Sequence, residues 1–321
     1  MKKEIGGYLE LEEMSNESKH SFYIDAIALN SARNAFLYYA IINKIKKIYL
    51  PYFLCDSIAK ICLKNNIDIE YYHINKYLRP NTKINVKENE LFYLVNYYGQ
   101  LKEEEIIKYK RQYRNIILDN VQCFFSKPCL IDVPTIYSCR KFFGVPDGGY
   151  LLLKNAKELD IGIDDSTERF KHLIGRKKEN ARNHYSEFLE NEKLIDELPL
   201  LYMSKETSSI LESIDYDHVI SRRNNNFSYL SDRLNKFNRM NVVFNDGPFC
   251  YPFYCKNGNF IRQELVKKDI FVPILWPNVI ESGSLLEKEM SINILPLPCD
   301  QRYSLEDMIF MCDIIEKYVK K

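Results

Sequence analysis

Between residues 30 and 154 the apolar positions follow two periods that take turns along the chain. From Asn30-Ser31-Ala32-Arg33-Asn34-Ala35 the spacing predicts a helix with Ala35, Tyr38, Tyr39 and Ile42 on one face. Lys47-Ile48-Tyr49-Leu50-Pro51 then reads as a strand, followed by a helix near 56–63 and a strand over 67–72. Leu91-Phe92-Tyr93-Leu94-Val95-Asn96 is a further apolar strand, ending at Tyr97-Tyr98-Gly99. The next helix carries Glu103, Glu104 and Glu105 in its first turn, where the positive helix end favours acids. Its apolar residues Ile106, Tyr109 and Tyr113 recur at helical spacing. Strands over 115–119 and 149–153 complete the series. Wholly apolar strands alternating with helices imply an α/β fold with a mostly parallel sheet sandwiched by helices. Such sheets bind ligands at the carboxyl ends of their strands, and Asp119 ends one of them.

Residues 158–220 are strongly charged and read as helices packed across this first unit, so the pattern predicts a large domain over 1–220. The remainder, 221–321, reads as a small C-terminal α/β domain. There Ser221-Arg222-Arg223-Asn224 leads into an amphipathic helix, and 249–254 and 270–272 are short strands around a helix at 261–268. Ser304-Leu305-Glu306-Asp307 forms a capping box that opens the last helix, with Met308, Met311, Ile315 and Tyr318 as its apolar stripe. No internal repeat or low-complexity linker interrupts the chain.

Composition removes several classes of function. Lys and Arg total 45 against 44 Asp and Glu in 321 residues, so no net field points to nucleic acid or an anionic membrane. No apolar run approaches the roughly 20 residues that span a bilayer. The start, Met1-Lys2-Lys3-Glu4-Ile5, lacks the apolar stretch of a secretory signal. Nine scattered cysteines without a CxxC pair argue against a zinc site and a disulfide framework, and fit a reducing cytoplasm. The five histidines form no spaced set and read as structural.

The candidate chemistry lies in Asp119-Asn120-Val121-Gln122, Ser138-Cys139-Arg140-Lys141 and Gly144-Val145-Pro146-Asp147-Gly148-Gly149. An amine for a Schiff base, a carboxylate to keep a pyridine nitrogen protonated and a hydroxyl for a phosphate are the groups that hold pyridoxal phosphate. Read alone, each has a plainer meaning. Lys141 could be a solvated loop lysine, Asp119 a strand-end cap, Gln122 a loop amide and Ser31 an ordinary N-cap.

In their order along the chain these pieces resemble the DegT/DnrJ/StrS family of pyridoxal-phosphate sugar aminotransferases, which have the aspartate aminotransferase fold (fold type I). The likeness is to a divergent branch with a Ser-x-Arg-Lys…Pro-Asp-Gly-Gly signature. It runs from Gly6-Gly7-Tyr8-Leu9-Glu10 through Asn96-Tyr97-Tyr98-Gly99 to Leu297-Pro298-Cys299-Asp300-Gln301-Arg302-Tyr303. The resemblance implies that Lys141 is the Schiff-base lysine and proton shuttle, and that Asp119 pairs with the pyridine nitrogen. It places Gln122 near the ring oxygen, Ser31 and Ala32 in the phosphate cup at a helix N-terminus, and Ser138 on the phosphate. Tyr52 or Phe53 would stack on the ring, because Cys55 takes the usual aromatic place. Arg140, Trp276 and Arg302 are candidate substrate-side groups, Arg302 meeting an anion bidentately or forming an ordinary ion pair. The family's Asn-x-Arg-Met-Ser stretch survives only as Leu200-Leu201-Tyr202-Met203-Ser204.

The implied activity is transfer of an amino group from a donor such as glutamate to a nucleotide-linked keto-sugar for surface polysaccharide, by a cytoplasmic homodimer. Two alternatives stand beside it: a sugar dehydratase, against which Lys141 argues, and a degenerate member that binds without turning over.

Overall fold

Apolar runs too short to bury their own faces pair into one broad sheet, whose strands supply most of the core. The computed structural model describes residues 4–15, 20–127, 129 and 131–320. Its strands are β1 (Ile5–Gly6), β2 (Ile27–Leu29), β3 (Lys47–Pro51), β4 (Asp68–Tyr72), β5 (Glu90–Val95) and β6 (Ile116–Asp119). After them come β7 (Thr135–Ser138), β8 (Gly149–Leu152), β9 (Tyr251–Tyr254), β10 (Ile270–Phe271) and β11 (Ile294–Leu297). Seven of these form one sheet in the order β2-β8-β7-β6-β5-β3-β4. Strands β3 to β7 run parallel, while β8 is antiparallel to both neighbours. The mixed α/β architecture with a mostly parallel sheet is the one that the apolar pattern predicts. Strands β2 and β7 were not legible in that pattern: β2 has only three residues, and β7 opens on Thr135 and closes on Ser138, so neither is a wholly apolar run.

Helix Ala32–Ile42 lies against β2, β7 and β8 and buries Ala35, Phe36, Tyr38 and Tyr39. Asn30 and Ser31, expected within it, precede it, with Ser31 as the N-cap. Helix Glu103–Tyr113 carries the three glutamates in its first turn. The charged stretch after β8 folds into helices Lys171–Lys178, Tyr185–Glu197 and Lys205–Glu212. Helix Tyr216–Leu234 then runs straight through 220/221.

A second apolar core forms under the antiparallel pair β9 and β11, with Met308, Met311 and Ile315 of helix Leu305–Val319. Ile5 belongs to this C-terminal core, because β1 pairs in parallel with β10. Trp276, by contrast, packs into the core of the large sheet. Among the described residues no helix is long and apolar enough to cross a membrane.

Candidate active site

The carboxyl ends of the central strands converge with the start of helix Ala32–Ile42. Ser138, the last residue of β7, stands opposite Gly149 of β8, and Gly149 stands opposite Leu29 of β2. The Gly148 amide donates to the Asn30 carbonyl (2.9 Å), and the Cys139 amide to the Gly148 carbonyl (3.2 Å). A side chain at Gly149 would place its Cβ 2.3 Å from the Ala32 nitrogen, so only glycine lets strand and helix end meet. Ser31, Ala32 and Ser138 are thereby gathered at one corner. No acidic residue occupies the first turn of that helix, so its positive end is not neutralised from within. The Ser31 hydroxyl accepts from the Asn34 amide (3.1 Å), which makes it a working N-cap.

Asp119 closes β6 between Val95 and Ile136 on the neighbouring strands. It is buried, and both carboxylate oxygens are engaged. Oδ1 accepts from the Val121 amide (3.0 Å) and Oδ2 from the Tyr93 hydroxyl (2.9 Å). Burial pushes the carboxyl above its usual range, while the Lys141 charge, the Val121 amide and the Tyr93 hydroxyl oppose that rise. Gln122 is also buried, and its Oε1 accepts from the Tyr98 amide (2.7 Å). That bond ties the turn after β6 to the turn after β5.

Lys141 sits exposed on a turn whose other residues are held from several sides. The Phe142 carbonyl accepts from Arg223 (3.0 Å) and from Gln301 (2.9 Å). Glu12 and Gly144 exchange two bonds, Glu12 amide to Gly144 carbonyl and Gly144 amide to the Glu12 carboxylate. Lys141 opens into a cavity of about 750 Å³, lined also by Ser138, Arg140, Tyr8, His172 and Phe188. The Tyr8 and Phe188 rings stack there at 4.7 Å, with His172 tilted against both. Burial, with Arg140 adding to it, pulls His172 down to about 4, so it stands neutral in this wall.

The remaining candidates are placed elsewhere. Arg140 lines the cavity, but its guanidinium is ion-paired with Glu192. Tyr52 stacks on Tyr71 (4.9 Å) and His73 (4.6 Å) at the far edge of the sheet, where β3 meets β4. Phe53 is fully buried against Tyr97 and Trp276, and Cys55 contacts the Ser57 hydroxyl (3.1 Å). Trp276 is a core residue touching the rings of Phe53, Tyr97 and Tyr98. Arg302 takes the ion-pair option: it meets Asp300 bidentately (2.7 and 3.0 Å) and donates to the Tyr8 carbonyl. Arg33 pairs with Asp196 (2.6 Å).

Residues that sequence reasoning missed include Tyr8, His172 and Phe188 in the cavity wall, and Tyr93 on Asp119. The first three come from distant segments and share no local signal. Tyr93 carried one: strand alternation puts it on the same sheet face as Val95, and so as Asp119.

No family model matches the chain, and no curated protein matches it. Solved structures do. The sugar aminotransferase CalS13 from Micromonospora echinospora superposes with a TM-score of 0.67 at 9% identity, over 97% of this chain and 99% of that one. PseC from Helicobacter pylori, an aminotransferase of pseudoaminic acid biosynthesis, gives 0.66 at 12% identity over 99% and 100%. A DegT DnrJ EryC1 StrS aminotransferase from Brucella abortus gives 0.64 at 13% identity over 92% and 86%. Across nearly its whole length, the chain has the fold of the DegT/DnrJ/EryC1/StrS sugar aminotransferases.

Proposed function

We propose that the chain is a pyridoxal-phosphate-dependent aminotransferase that passes an amino group from a donor such as glutamate to a keto-sugar. The observation that carries this reading is the buried Asp119 carboxylate at a strand end, under the influence of the Lys141 amine. Two donors occupy Asp119, and an ionised carboxylate offers about four acceptor sites, so capacity remains for a pyridine N–H. The glycine-seated corner of Ser31, Ala32 and Ser138 suits a phosphate, since it joins a helix N-terminus with no acid in its first turn to a hydroxyl. The residues therefore fit the group.

When bound, pyridoxal phosphate supplies the electron sink. Asp119 would hold the ring-nitrogen proton. Lys141 Nζ would carry a proton to and from the substrate carbon, a kind of transfer worth roughly 10²–10⁴-fold in rate. Tyr8 and Phe188 would form an aromatic wall of the cavity into which that amine opens. A nucleotide-linked sugar, a surface-polysaccharide product, a homodimer and a cytoplasmic location belong to the same proposal and rest on the family resemblance.

Absorbance spectra with added pyridoxal phosphate, before and after glutamate, test it beside Lys141→Ala. A visible band that needs Lys141 and is bleached by glutamate is the expected result. A band indifferent to glutamate would point to another donor or reaction. No band at all would leave a fold kept for binding.

A further inference from the structure

Tyr93 and Asp119 stand on adjacent parallel strands, with Tyr93 opposite Ile117 and Asp119 two residues further along β6. Strand alternation puts both side chains on the sheet face that helix Ala32–Ile42 covers. There the Tyr93 ring packs edge-on against Phe36 at 5.8 Å. With 1% and 3% of their surfaces exposed, neither group can replace the other with water. Burial holds the Tyr93 hydroxyl far above its ordinary pKa, so it stays protonated and can only donate to the carboxylate. The titratable groups facing Asp119 are few: Tyr72 and Tyr93 from the strands, Tyr97 from the turn after β5, and Lys141 from its loop. Cys55 and Cys62 face Tyr93.

We propose that Tyr93 is a positioning residue whose hydroxyl fixes the Asp119 carboxylate that a pyridine nitrogen would meet. It acts through Asp119, and the inference rests on the cofactor reading above. Without the hydroxyl, Asp119 keeps the Val121 amide alone, can rotate, and takes up a proton more readily.

The test is Tyr93→Phe, with wild type, Lys141→Ala and Asp119→Asn alongside. Pyridoxal phosphate is titrated into each, and the visible band is followed against pH. Loss of a hydrogen bond to a charged group predicts about tenfold weaker cofactor binding. The acid limb of the band's pH profile should move upward by about one unit. In the Asp119→Asn background the same substitution should add nothing. Unchanged affinity and an unchanged pH profile would overturn the inference, as would equal losses in both backgrounds. Should Tyr93→Phe not fold, fluorotyrosine at position 93 keeps the shape and weakens the proton's hold. A shifted profile then supports the inference and an unshifted one overturns it. A wild-type protein without a Lys141-dependent band overturns both proposals; a wild-type band unaffected at position 93 overturns only this one.

Discussion

At the scale of single residues, Asp147 shows how firmly the loop after Lys141 is anchored. It is fully buried, and its carboxylate accepts from the Ser204 amide (2.9 Å), the Ser204 hydroxyl (2.8 Å) and the Thr207 hydroxyl. Burial still raises its pKa above the ordinary 3.8, with those donors and Arg169 pulling against it. An acid shifted in that direction contributes stability that is whole below about pH 3.8 and is lost as pH rises through the raised value. Asparagine does not titrate. We therefore expect Asp147→Asn to cost about 1–3 kcal/mol near pH 4, with the gap to wild type narrowing by pH 7.5. Urea unfolding at both pH values measures it, and a gap that widened would contradict the assignment. In the sequence Asp147 stood out only as part of the Pro-Asp-Gly-Gly signature. Its partners lie some sixty residues downstream, in a stretch noted there for the residues it lacks.

At the scale of elements, the seat of helix Ala32–Ile42 on β8 depends on one missing side chain. Gly149→Ala would drive a methyl into the Ser31 and Ala32 backbone, and neither strand nor helix can retreat without breaking the register Leu29–Gly149–Ser138. Overpacking of this kind costs about 1–3 kcal/mol. Ser31→Ala, which removes only the cap to Asn34, should cost about 1 kcal/mol. Urea midpoints should therefore rank Gly149→Ala below Ser31→Ala, and the reverse order would show that the corner can relax.

Strands β3, β5 and β6 were legible because each is a run of mostly apolar residues buried on both faces. Strand β4 at the sheet edge was legible from its short apolar alternation, although only Tyr72 in it is buried. Asp119 was legible because it ends one of those apolar runs, and Ser138 and Lys141 because they belong to the Ser-x-Arg-Lys…Pro-Asp-Gly-Gly signature. Tyr52 shows where this kind of reading stops. Its position after β3 suits a residue over a bound ring, yet the register with β4 turns it onto Tyr71 and His73. Register between strands is a tertiary choice that neither period encodes.

At the scale of the whole molecule, the N-terminal segment is bound to the far end of the chain. Arg302 holds Asp300 in a nearly buried pair and also donates to the Tyr8 carbonyl, while the Tyr303 hydroxyl accepts from the Gly6 amide at 2.7 Å. Arg302→Ala would strand the Asp300 carboxylate, at a cost of about 3–5 kcal/mol. A substrate-binding arginine would instead raise KM and leave unfolding unchanged, so denaturation beside steady-state kinetics separates the two roles. Such pairings escape sequence reading because β1 is only two residues long.

The Gly6–Tyr303 bond joins residues 297 positions apart, and Gly7, Tyr8 and Leu9 of that same segment line the cavity beside Lys141. At about 5–20 residues per second on the ribosome, Gly6 waits some 15–60 s for its partner to emerge. During synthesis, then, the turn bearing Lys141 takes shape in a half-built pocket, and its first-translated wall is the last to be hung.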